Sequence, residues 1–380
     1  MAQRPLRVVV TGGSRGIGRA IVDAFAKEGH AVLFTYNRSV FEAIEEAKCY
    51  APAGRVKAVH LDQGDFQQVQ KVAALIASWL EGDVLDVLVN SAALGSVTVE
   101  HYCRDGEAVA TASNGKGADG SKHGDASAES SGVAAIAAQR AAEDEALMRV
   151  NALGPVWLTE ALLPFMAGGS AHAKDGCSDD WSDSGNNGHG ENSENGTASG
   201  ANKSAGPASP PPSSSLPPAP PPSSSLPPSP PLSSSSPPPR PPLSQPRRRS
   251  TALFIGSVGG GSQSVFPAFK LADAMSKAAL SYAVKCLAAR HIHGAIDFVC
   301  LCPGATLTDM FRASTLDGLR RPDDFVAALP QRRLIEPAEV AEAVRWLCTC
   351  PAARLFHGAV LDASQGLAVR PGVLTEYKGF

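Results

Sequence analysis

Three features are scarce in this chain: cysteine, net charge and long apolar runs. Its 380 residues include 8 cysteines, too few for a disulfide scaffold, and the formal net charge of -3 provides no basic field for nucleic acid or an acidic membrane. No apolar run approaches the roughly 20 residues that cross a bilayer, and the N-terminus lacks the features of a signal peptide. We therefore expect a cytoplasmic protein in a reducing environment, without nucleic-acid or membrane partners; an organellar location is also compatible with these features.

Two cysteine pairs have the spacing C-x-C, at Cys300 and Cys302 and at Cys348 and Cys350. A metal site needs further ligands nearby in the sequence, and none stands out. If Cys300 and Cys302 lie on a strand, both side chains point to one face and act as small hydrophobes. This interpretation predicts no metal site.

Alternating strand and helix patterns dominate the chain outside two polar stretches. Short apolar, β-branched runs predict strands, and amphipathic segments between them predict helices. The alternation predicts an α/β fold, a doubly wound parallel sheet of the Rossmann type with helices on both faces. The predicted strands are Leu6–Val10, Ala31–Tyr36, Arg55–Leu61, Val84–Val89 and Thr251–Ile255, and the predicted helices are Ala20–Glu28, Phe66–Leu80, Val133–Met148 and Leu153–Met166.

Two low-complexity stretches interrupt this pattern, at 104–132 and 168–249. The first offers almost no large apolar residue to offset the entropy of ordering, so we expect it to be disordered. The second begins acidic and continues as a tandem repeat, PPPSSSLPPA at Pro210–Ala219 and PPPSSSLPPS at Pro220–Ser229. This composition favours polyproline II without a core. Such repeats either dock weakly on SH3 or WW modules or serve as a plain spacer.

The length that remains outside the insertions corresponds to one α/β domain. Removing about 30 and about 80 residues leaves roughly 270. Flexible loops cost stability only logarithmically with their length, so one domain can carry both insertions. We predict a single Rossmann domain built from 1–103, 133–167 and 250–380.

A glycine-rich loop, Thr11–Gly18, follows the first predicted strand and opens the first helix. Glycines allow a tight turn and a close approach of the backbone to a pyrophosphate, and a helix N-terminus offers free N–H groups and the positive end of a dipole. In this position the loop predicts a dinucleotide site whose contacts come from Gly12, Ser14, Arg15, Gly16, Ile17 and Gly18.

The loop resembles the T-G-x-x-x-G-x-G motif of the short-chain dehydrogenase/reductase family, and later segments resemble the family's motifs in the same order. Leu61-Asp62 resembles the aspartate that contacts adenine. Asn90-Ser91-Ala92-Ala93 resembles the family's N-N-A-G and differs from it at the second and fourth positions. Asn151 lies where the family has a helix asparagine that holds a water.

The C-terminal part extends the resemblance. Pro303–Met310 resembles the segment at the nicotinamide, and Glu336–Leu347 and Gly358–Gly366 resemble the closing helix and strand of the 3-oxoacyl-carrier-protein reductase branch. The resemblance implies a small-molecule carbonyl or alcohol substrate and a homo-oligomer. It also implies a nicotinamide dinucleotide cofactor with contacts from Asp62, Asn90, Lys277, Thr306 and Thr308.

The end of the second predicted strand bears on the choice of cofactor. A ribose 2′-hydroxyl is held by an acidic residue there, whereas a 2′-phosphate needs cations. The sequence at this point is Tyr36-Asn37-Arg38-Ser39, without an acid, and Arg15 lies in the glycine loop. Two arginines can clamp the phosphate, which predicts NADP(H) rather than NAD(H). In the alternative interpretation Arg38 is an ordinary solvated surface residue.

The catalytic segments resemble those of the family with one difference. The resemblance implies a serine that hydrogen-bonds the substrate carbonyl, a tyrosine that gives the proton, and a lysine four residues later that lowers the tyrosine pKa and holds the nicotinamide ribose. Ser257 and Lys277 match the serine and the lysine, but Asp273 stands at the tyrosine position. A second register pairs Phe266 with Lys270, and phenylalanine has no proton to give.

The role of Asp273 depends on two opposing effects on its pKa. Lys277 beside it lowers the pKa, whereas burial against Phe266, Phe269 and Leu271 raises it. If burial dominates, Asp273 is a neutral acid that can donate. If the ion pair dominates, the chain is a weak reductase or binds cofactor without turnover, unless Lys277 or a water donates. Asp273 also fits an ordinary residue of a helix's first turn.

Two functions follow from these patterns. The first is an NADP(H)-dependent oxidoreductase that reduces a carbonyl or oxidises a secondary alcohol by hydride transfer, with Ser257, Asp273, Lys277 and Asn151 as catalytic residues. The second is a cofactor-binding, catalytically silent relative with a regulatory or interaction role. The sequence does not name the substrate, whose contacts we expect from the lid stretch Phe311–Leu329 and from the loops after Leu94 and Ser257.

Overall fold

The structure, a computed structural model, describes residues 4–50, 55–104, 127–167, 249–261, 264–266 and 269–370, with the backbone alone at 127–133. All of them belong to one unit of the chain, 1–176 with 247–380. The second predicted insertion lies outside the described residues except for Arg249, and the first lies outside them except for Arg104 and 127–132. The division of the chain into one domain and two insertions therefore stays a prediction.

A sheet of seven parallel strands forms the centre of the fold, in the order β3-β2-β1-β4-β5-β6-β7. The order runs outward in both directions from β1 and β4, so the crossover connections place helices on both faces. This arrangement confirms the predicted doubly wound fold of the Rossmann type. The strands are β1 Arg7–Val10, β2 Ala31–Tyr36, β3 Val56–His60, β4 Val87–Asn90, β5 Ser250–Ile255, β6 Ile296–Pro303 and β7 Val360–Ala363.

Helices connect the strands and cover the sheet. They are α1 Gly16–Lys27, α2 Val40–Cys49, α3 Phe66–Leu80, α4 over 98–104, α5 Ser127–Met148, α6 Gly154–Leu162, α7 Leu271–Arg290, α8 Asp309–Phe311, α9 Pro322–Ala328 and α10 Pro337–Thr349. Turns of π-helix lie at Arg149–Leu153 and Arg312–Leu316, and turns of 3₁₀-helix at Leu163–Phe165 and Pro351–Phe356. In the described part of the chain, no helix is both long enough and apolar enough to cross a membrane.

Each face of the sheet carries its own apolar core, because successive side chains of a strand point to opposite faces. On β1, Val9 packs with Ile76 of α3 and the buried residues of α6 and α7. Its neighbours Val8 and Val10 pack on the other face with Phe25 of α1 and the buried residues of α10. Continuous burial of the strands on both faces is the pattern that a covered parallel sheet requires.

The predicted placement of Cys300 and Cys302 on one buried face of a strand agrees with the structure. Cys300 and Cys302 lie on β6, are fully buried on the same face of the sheet, and have their Sγ atoms 3.9 Å apart. Within the described ranges, no group of three or more His, Cys, Asp and Glu side chains is placed to hold a metal ion.

Two predicted helices begin earlier than the sequence pattern suggests. Helix α1 starts at Gly16 rather than at Ala20, so the glycine loop itself supplies the first helical turn. Helix α5 starts at Ser127 rather than at Val133, within the stretch predicted to be disordered. The residues 127–130 read Ser-Ala-Glu-Ser, and alanine and glutamate favour extension of the helix that follows.

Helices α5 and α6 are joined by the π-helical turn Arg149–Leu153, which carries Asn151. The turn is fixed from the side by the loop after β3, where Gln63 Nε2 donates a hydrogen bond of 2.9 Å to the Val150 carbonyl. Gly154 makes this approach possible, because a Cβ at that position would lie 2.3 Å from the Gln63 carbonyl oxygen.

We predict that Gly154→Ala destabilises the protein by about 1–3 kcal/mol, since the added methyl group overpacks a backbone contact that has no room for it. Chemical denaturation followed by circular dichroism measures the change. Gly318→Ala is the matched control, because the nearest atom to its Cβ, the Thr315 carbonyl oxygen, lies 3.9 Å away. An equal loss of stability in both variants would contradict the packing argument.

Candidate active site

One cavity of about 820 Å³ opens at the carboxyl ends of the strands. Its walls come from the segments that follow β1, β2, β3, β4, β5 and β6, together with α4 and α7. Parallel strands bring all these segments to one edge of the sheet, which is where ligands bind in doubly wound folds. The predicted site residues that line the cavity are Gly12, Ser14, Arg15, Gly16, Ile17, Gly18, Arg38, Asp62, Ser257, Asp273, Lys277, Thr306 and Thr308.

The glycine loop forms one end of the cavity and has the features of an anion cradle. Helix α1 begins at this loop without a side-chain cap and without an acid in its first turn, so its positive end faces the cavity. A Cβ on Gly18 would lie 2.1 Å from the Gly12 carbonyl oxygen, and the loop therefore folds back on its own helix only with glycine at that position. The loop can hold a phosphate through backbone N–H groups.

Two arginines stand beside this cradle. Both Arg15 and Arg38 are exposed at the cavity. Arg38 follows β2 and is held by α4: its Nη2 donates to the His101 carbonyl at 2.9 Å, and its guanidinium lies 5.5 Å from the centre of the Tyr102 ring. The guanidinium is thus oriented by its neighbours, unlike a side chain that is merely solvated.

Asp62 also lines the cavity, and its carboxylate accepts a hydrogen bond from Tyr102, a residue that the sequence motifs did not indicate. The Tyr102 hydroxyl lies 3.0 and 2.9 Å from the two carboxylate oxygens, and the backbone N–H of Gly64 donates to Oδ1 at 2.9 Å. Burial, followed by the charge of Asp62, raises the pKa of Tyr102, so the phenol stays protonated as the donor. Tyr102 lies outside every family motif, and only its place on α4 brings it here.

Asn90 was predicted to contact the cofactor, but its side chain does not line the cavity. It is buried at the end of β4, where its Nδ2 donates to Thr159 Oγ1 on α6 at 3.1 Å. Its Oδ1 is buried without a hydrogen-bond partner among the described residues. In the structure Asn90 ties β4 to the helix behind it.

Asp273 and Lys277 lie one turn apart on α7 and both face the cavity, as the spacing predicted. Burial raises the pKa of Asp273 more strongly than Lys277 and Lys270 lower it. Burial also lowers the pKa of Lys277. In the part of the chain that the structure describes, no ion pair joins the two side chains. The sequence left open whether burial or the charge of Lys277 has the larger effect on the pKa of Asp273; in the structure burial has the larger effect.

The surroundings of Asp273 differ from the sequence expectation at one residue. Phe266 is buried and Phe269 is partly exposed, and both line the cavity beside Asp273. Leu271 is 70% exposed and does not line it, so the expectation that Leu271 helps to bury Asp273 is wrong. Leu271 begins α7 and points to solvent because it lies on the outer face of that helix.

Ser257 follows β5, in the same wall as Asp273. Its Oγ accepts a hydrogen bond of 3.2 Å from the backbone N–H of Gly259. This contact orients the hydroxyl group so that its own proton remains available to a ligand in the cavity.

Asn151 does not line the cavity but contacts the residues that do. Its Nδ2 lies 3.4 Å from Asp273 Oδ1, 3.1 Å from Ser276 Oγ and 2.9 Å from the Leu94 carbonyl. Its Oδ1 accepts a hydrogen bond of 2.7 Å from the Leu94 N–H. Asn151 therefore joins the loop after β4 to the first turn of α7 and steadies one oxygen of Asp273.

Thr306 and Thr308 line the cavity on the side of β6. Thr306 Oγ1 donates to the Gly304 carbonyl at 3.0 Å, and Thr308 Oγ1 accepts from the Phe311 N–H at 3.1 Å, which caps the short helix α8. These local bonds hold the loop after β6, and Thr308 lies against the glycine loop, since a Cβ on Gly16 would be 3.4 Å from its Cγ2.

Two family models match this chain. The model described as short chain dehydrogenase matches residues 7–112, and the model described as Enoyl-(Acyl carrier protein) reductase matches residues 242–368. Together they cover all seven strands and leave 113–241 unmatched, a stretch that includes α5, Asn151 and α6. Their order along the chain follows the order of the motifs described above.

Curated relatives match over shorter lengths. An uncharacterized oxidoreductase of Methylorubrum extorquens is 41% identical over 104 residues, which are 25% of this chain and 41% of that protein. Meso-2,3-butanediol dehydrogenase of Serratia marcescens is 35% identical over 85 residues, 22% of this chain and 32% of that enzyme. The matches thus span less than half the length of these relatives.

Among solved structures, the complex of RhlG with NADP from Pseudomonas aeruginosa is similar to this chain in fold. The TM-score is 0.58 at 16% identity, with 97% of this chain and 98% of that chain covered. At this identity the similarity concerns the fold alone.

We predict that Asp273→Asn makes stability less dependent on pH. Because the folded protein raises the pKa of Asp273, ionising this group costs folding free energy. The cost is absent below the unfolded pKa of about 3.9, grows as pH rises towards the folded pKa, and then stays constant. In thermal unfolding the variant should therefore match wild type at about pH 3 and exceed it at about pH 8.

Asp65→Asn is the control of opposite sign. Hydrogen bonds, chiefly from the Gln68 N–H, hold the pKa of Asp65 below its usual range. Its charge therefore stabilises the fold above the unfolded pKa, and the variant should lose stability near neutral pH and lose nothing in acid. A wild-type advantage over Asp273→Asn at alkaline pH would mean that Asp273 is stabilised as an anion.

Proposed function

Since the chain belongs to the short-chain dehydrogenase/reductase family, we propose that it is an NADP(H)-dependent oxidoreductase that reduces a carbonyl group or oxidises a secondary alcohol. One observation carries the proposal: a phosphate cradle and the set Ser257, Asp273 and Lys277 line the same cavity. The dehydrogenase activity of the Serratia marcescens relative and the NADP bound to RhlG support the same proposal.

The described residues fit a nicotinamide dinucleotide. The uncapped N-terminus of α1 and the glycine loop suit its pyrophosphate, and Asp62 offers acceptor oxygens at the adjoining wall. Thr306 and Lys277 line the same cavity, and we assign them to the nicotinamide half, as the family resemblance implies. A bound NADPH supplies a hydride, which carries two electrons to a carbonyl carbon as the C–O π bond breaks.

The preference for NADP(H) rests on the cations beside the cradle. Arg38 replaces the acid that would hold a 2′-hydroxyl, and Arg15 is exposed at the same edge. The contacts of Arg38 with the His101 carbonyl and the Tyr102 ring limit its freedom before any ligand binds. A preoriented guanidinium loses less entropy when it pairs with a phosphate.

The reduced carbonyl oxygen needs one proton, and Asp273 is the residue we assign to deliver it. Burial raises its pKa towards the range in which a neutral carboxylic acid persists. Asn151 lies against Oδ1, which leaves Oδ2 to carry the proton into the cavity. When Oδ2 gives up its proton, Lys277 compensates the carboxylate charge one helical turn away.

Ser257 and Lys277 complete the constellation. The Ser257 hydroxyl can donate a hydrogen bond to the carbonyl oxygen and so stabilise the charge that develops there. In alcohol oxidation the same groups act in reverse: Asp273, as a carboxylate, accepts the hydroxyl proton, and a bound NADP⁺ would take up the hydride from the carbon.

We predict that Arg38→Asp weakens NADPH binding about 10- to 100-fold and weakens NADH binding less, because it replaces a charge-assisted bond to the 2′-phosphate with repulsion. Fluorescence titration of both cofactors measures the ratio of dissociation constants. Arg354→Asp carries the same change of charge at an exposed position outside the cavity and should leave both constants unchanged. Equal losses for NADPH and NADH would remove Arg38 from the phosphate site.

We predict that Asp273→Asn lowers the rate of carbonyl reduction about 10²- to 10⁴-fold, the usual contribution of a positioned acid, because the amide has no transferable proton. Wild-type activity should fall as pH rises through the raised pKa of Asp273. Asp273→Tyr restores the family's phenol next to Lys277 and should preserve or raise the activity. Steady-state rates with NADPH and a panel of uncharged ketones provide the measurement.

Cofactor binding and turnover separate this proposal from its rival, a silent relative. Tight NADPH binding without turnover in wild type, together with turnover in Asp273→Tyr, would favour the silent relative. Robust activity that Asp273→Asn leaves unchanged would assign the proton to Lys277 or to water. Lys277→Ala should weaken cofactor binding in either case, because Lys277 lines the nicotinamide half of the cavity.

A further inference from the structure

The part of the cavity beyond Asp273 has an apolar lining of its own. A third hydrophobic cluster, separate from the two cores of the sheet, collects the loop after β5, the loop after β6, helix α9 and the segment after β7. The members that reach the cavity surface are Val258, Phe266, Ala305, Phe311, Phe325 and Leu367. We call this surface the apolar end of the cavity.

Aromatic rings dominate the apolar end. Phe266 and Phe269 are stacked with ring centroids 5.1 Å apart, and Phe311 and Phe325 are tilted at 6.2 Å. The Phe269 ring also lies against the backbone after Ser257, since a Cβ on Gly259 would be 2.2 Å from it. Rings held in this way present fixed faces and edges to a ligand.

Apart from Lys277, the cationic side chains that line the cavity come from segments outside the apolar end. Arg15, Arg38 and His101 line the end at the glycine loop, β2 and α4. Among the described residues that line the cavity from 255 to 367, the only cation is Lys277, and the acids are Asp273 and Asp309. Lys277 is buried on α7 and is assigned above to the nicotinamide half of the cofactor, so among these residues the apolar end offers no further positive charge.

From this lining, and resting on the proposed function, we propose that the substrate is an uncharged, ring-bearing carbonyl compound or the corresponding secondary alcohol, with its ring among Phe266, Phe269, Phe311 and Phe325. The reacting oxygen then lies towards Ser257 and Asp273. Acidic substrates, such as oxo acids or phosphorylated sugars, do not fit the same wall.

The argument against an acidic substrate is electrostatic. A carboxylate taken from water into an apolar pocket pays a desolvation penalty that only a paired cation offsets. If Asp273 is ionised, it repels such a ligand, and if Asp273 is protonated, its hydroxyl is needed at the carbonyl oxygen. An uncharged ring pays no such penalty and removes apolar surface from water on both sides of the contact.

The test uses methyl phenylglyoxylate and phenylglyoxylate, which share the ring and the ketone and differ in one negative charge. Each is titrated calorimetrically into the full chain saturated with NADP⁺, a complex that cannot reduce them, so binding is read without turnover. We expect the ester to bind about tenfold tighter or more, in keeping with the cost of an unpaired buried charge. Methyl pyruvate, which lacks the ring, should bind more weakly than methyl phenylglyoxylate.

Two variants locate the ring. Phe311→Ala should weaken the ester about tenfold and leave NADP⁺ binding unchanged, because Phe311 is half-buried on the lid side of the cavity. Phe41→Ala is the control, since Phe41 is 73% exposed on α2 and does not line the cavity. Phe311→Arg adds a cation at the same wall and should shift the preference towards the acid.

The outcomes separate the two proposals. Failure to bind NADP⁺ or NADPH overturns the proposed function. In that case the two ring compounds are titrated into the protein alone. Tighter binding of the ester than of the acid then still supports a binding site for an uncharged ring at the apolar end. Binding of NADP⁺ with equal or tighter binding of the acid overturns the inference and leaves the function standing. Failure of both ring compounds to bind at millimolar concentration overturns it as well.

Discussion

The parallel direction of all seven strands is the constraint on which the rest of the structure depends. It brings the carboxyl end of every strand to one edge of the sheet, so the segments that follow the strands meet there even though they are far apart in the sequence. The glycine loop after β1 and Asp273 on the helix after β5 share a cavity for this reason. Burial of the strands on both faces fixes the sheet and thereby the edge.

Desolvation decides the electrostatics at that edge. Asp273 and Lys277 lie one helical turn apart, a spacing at which an ion pair would hold the carboxyl group ionised. The structure instead has no ion pair between them in its described residues, and burial shifts the two pKa values towards the neutral forms. Burial therefore favours the protonated carboxyl group of Asp273, which is the form that can donate a proton.

Local patterns predicted the fold and much of the site, and tertiary contacts account for the rest. Strand positions, the glycine loop and the spacing of Asp273 and Lys277 follow from periods of two residues and of one helical turn. By contrast, Asn90 turns away from the cavity because a threonine on α6 binds it, and Tyr102 enters because α4 carries it to Asp62. Both depend on how helices pack, which no single segment encodes.

The apolar end and the acid are physically linked. The aromatic wall that suits an uncharged substrate lines the same cavity as Asp273, whose burial raises the pKa of its carboxyl group. An apolar ligand in that space removes more water and therefore favours the protonated acid further. One apolar lining therefore favours both an uncharged substrate and a protonated Asp273. An acidic ligand would bring charge and water into the same space and would oppose both effects. A carboxyl group can replace a phenol as proton donor only where burial raises its pKa, as it does for Asp273, because a solvated aspartate stays ionised at neutral pH.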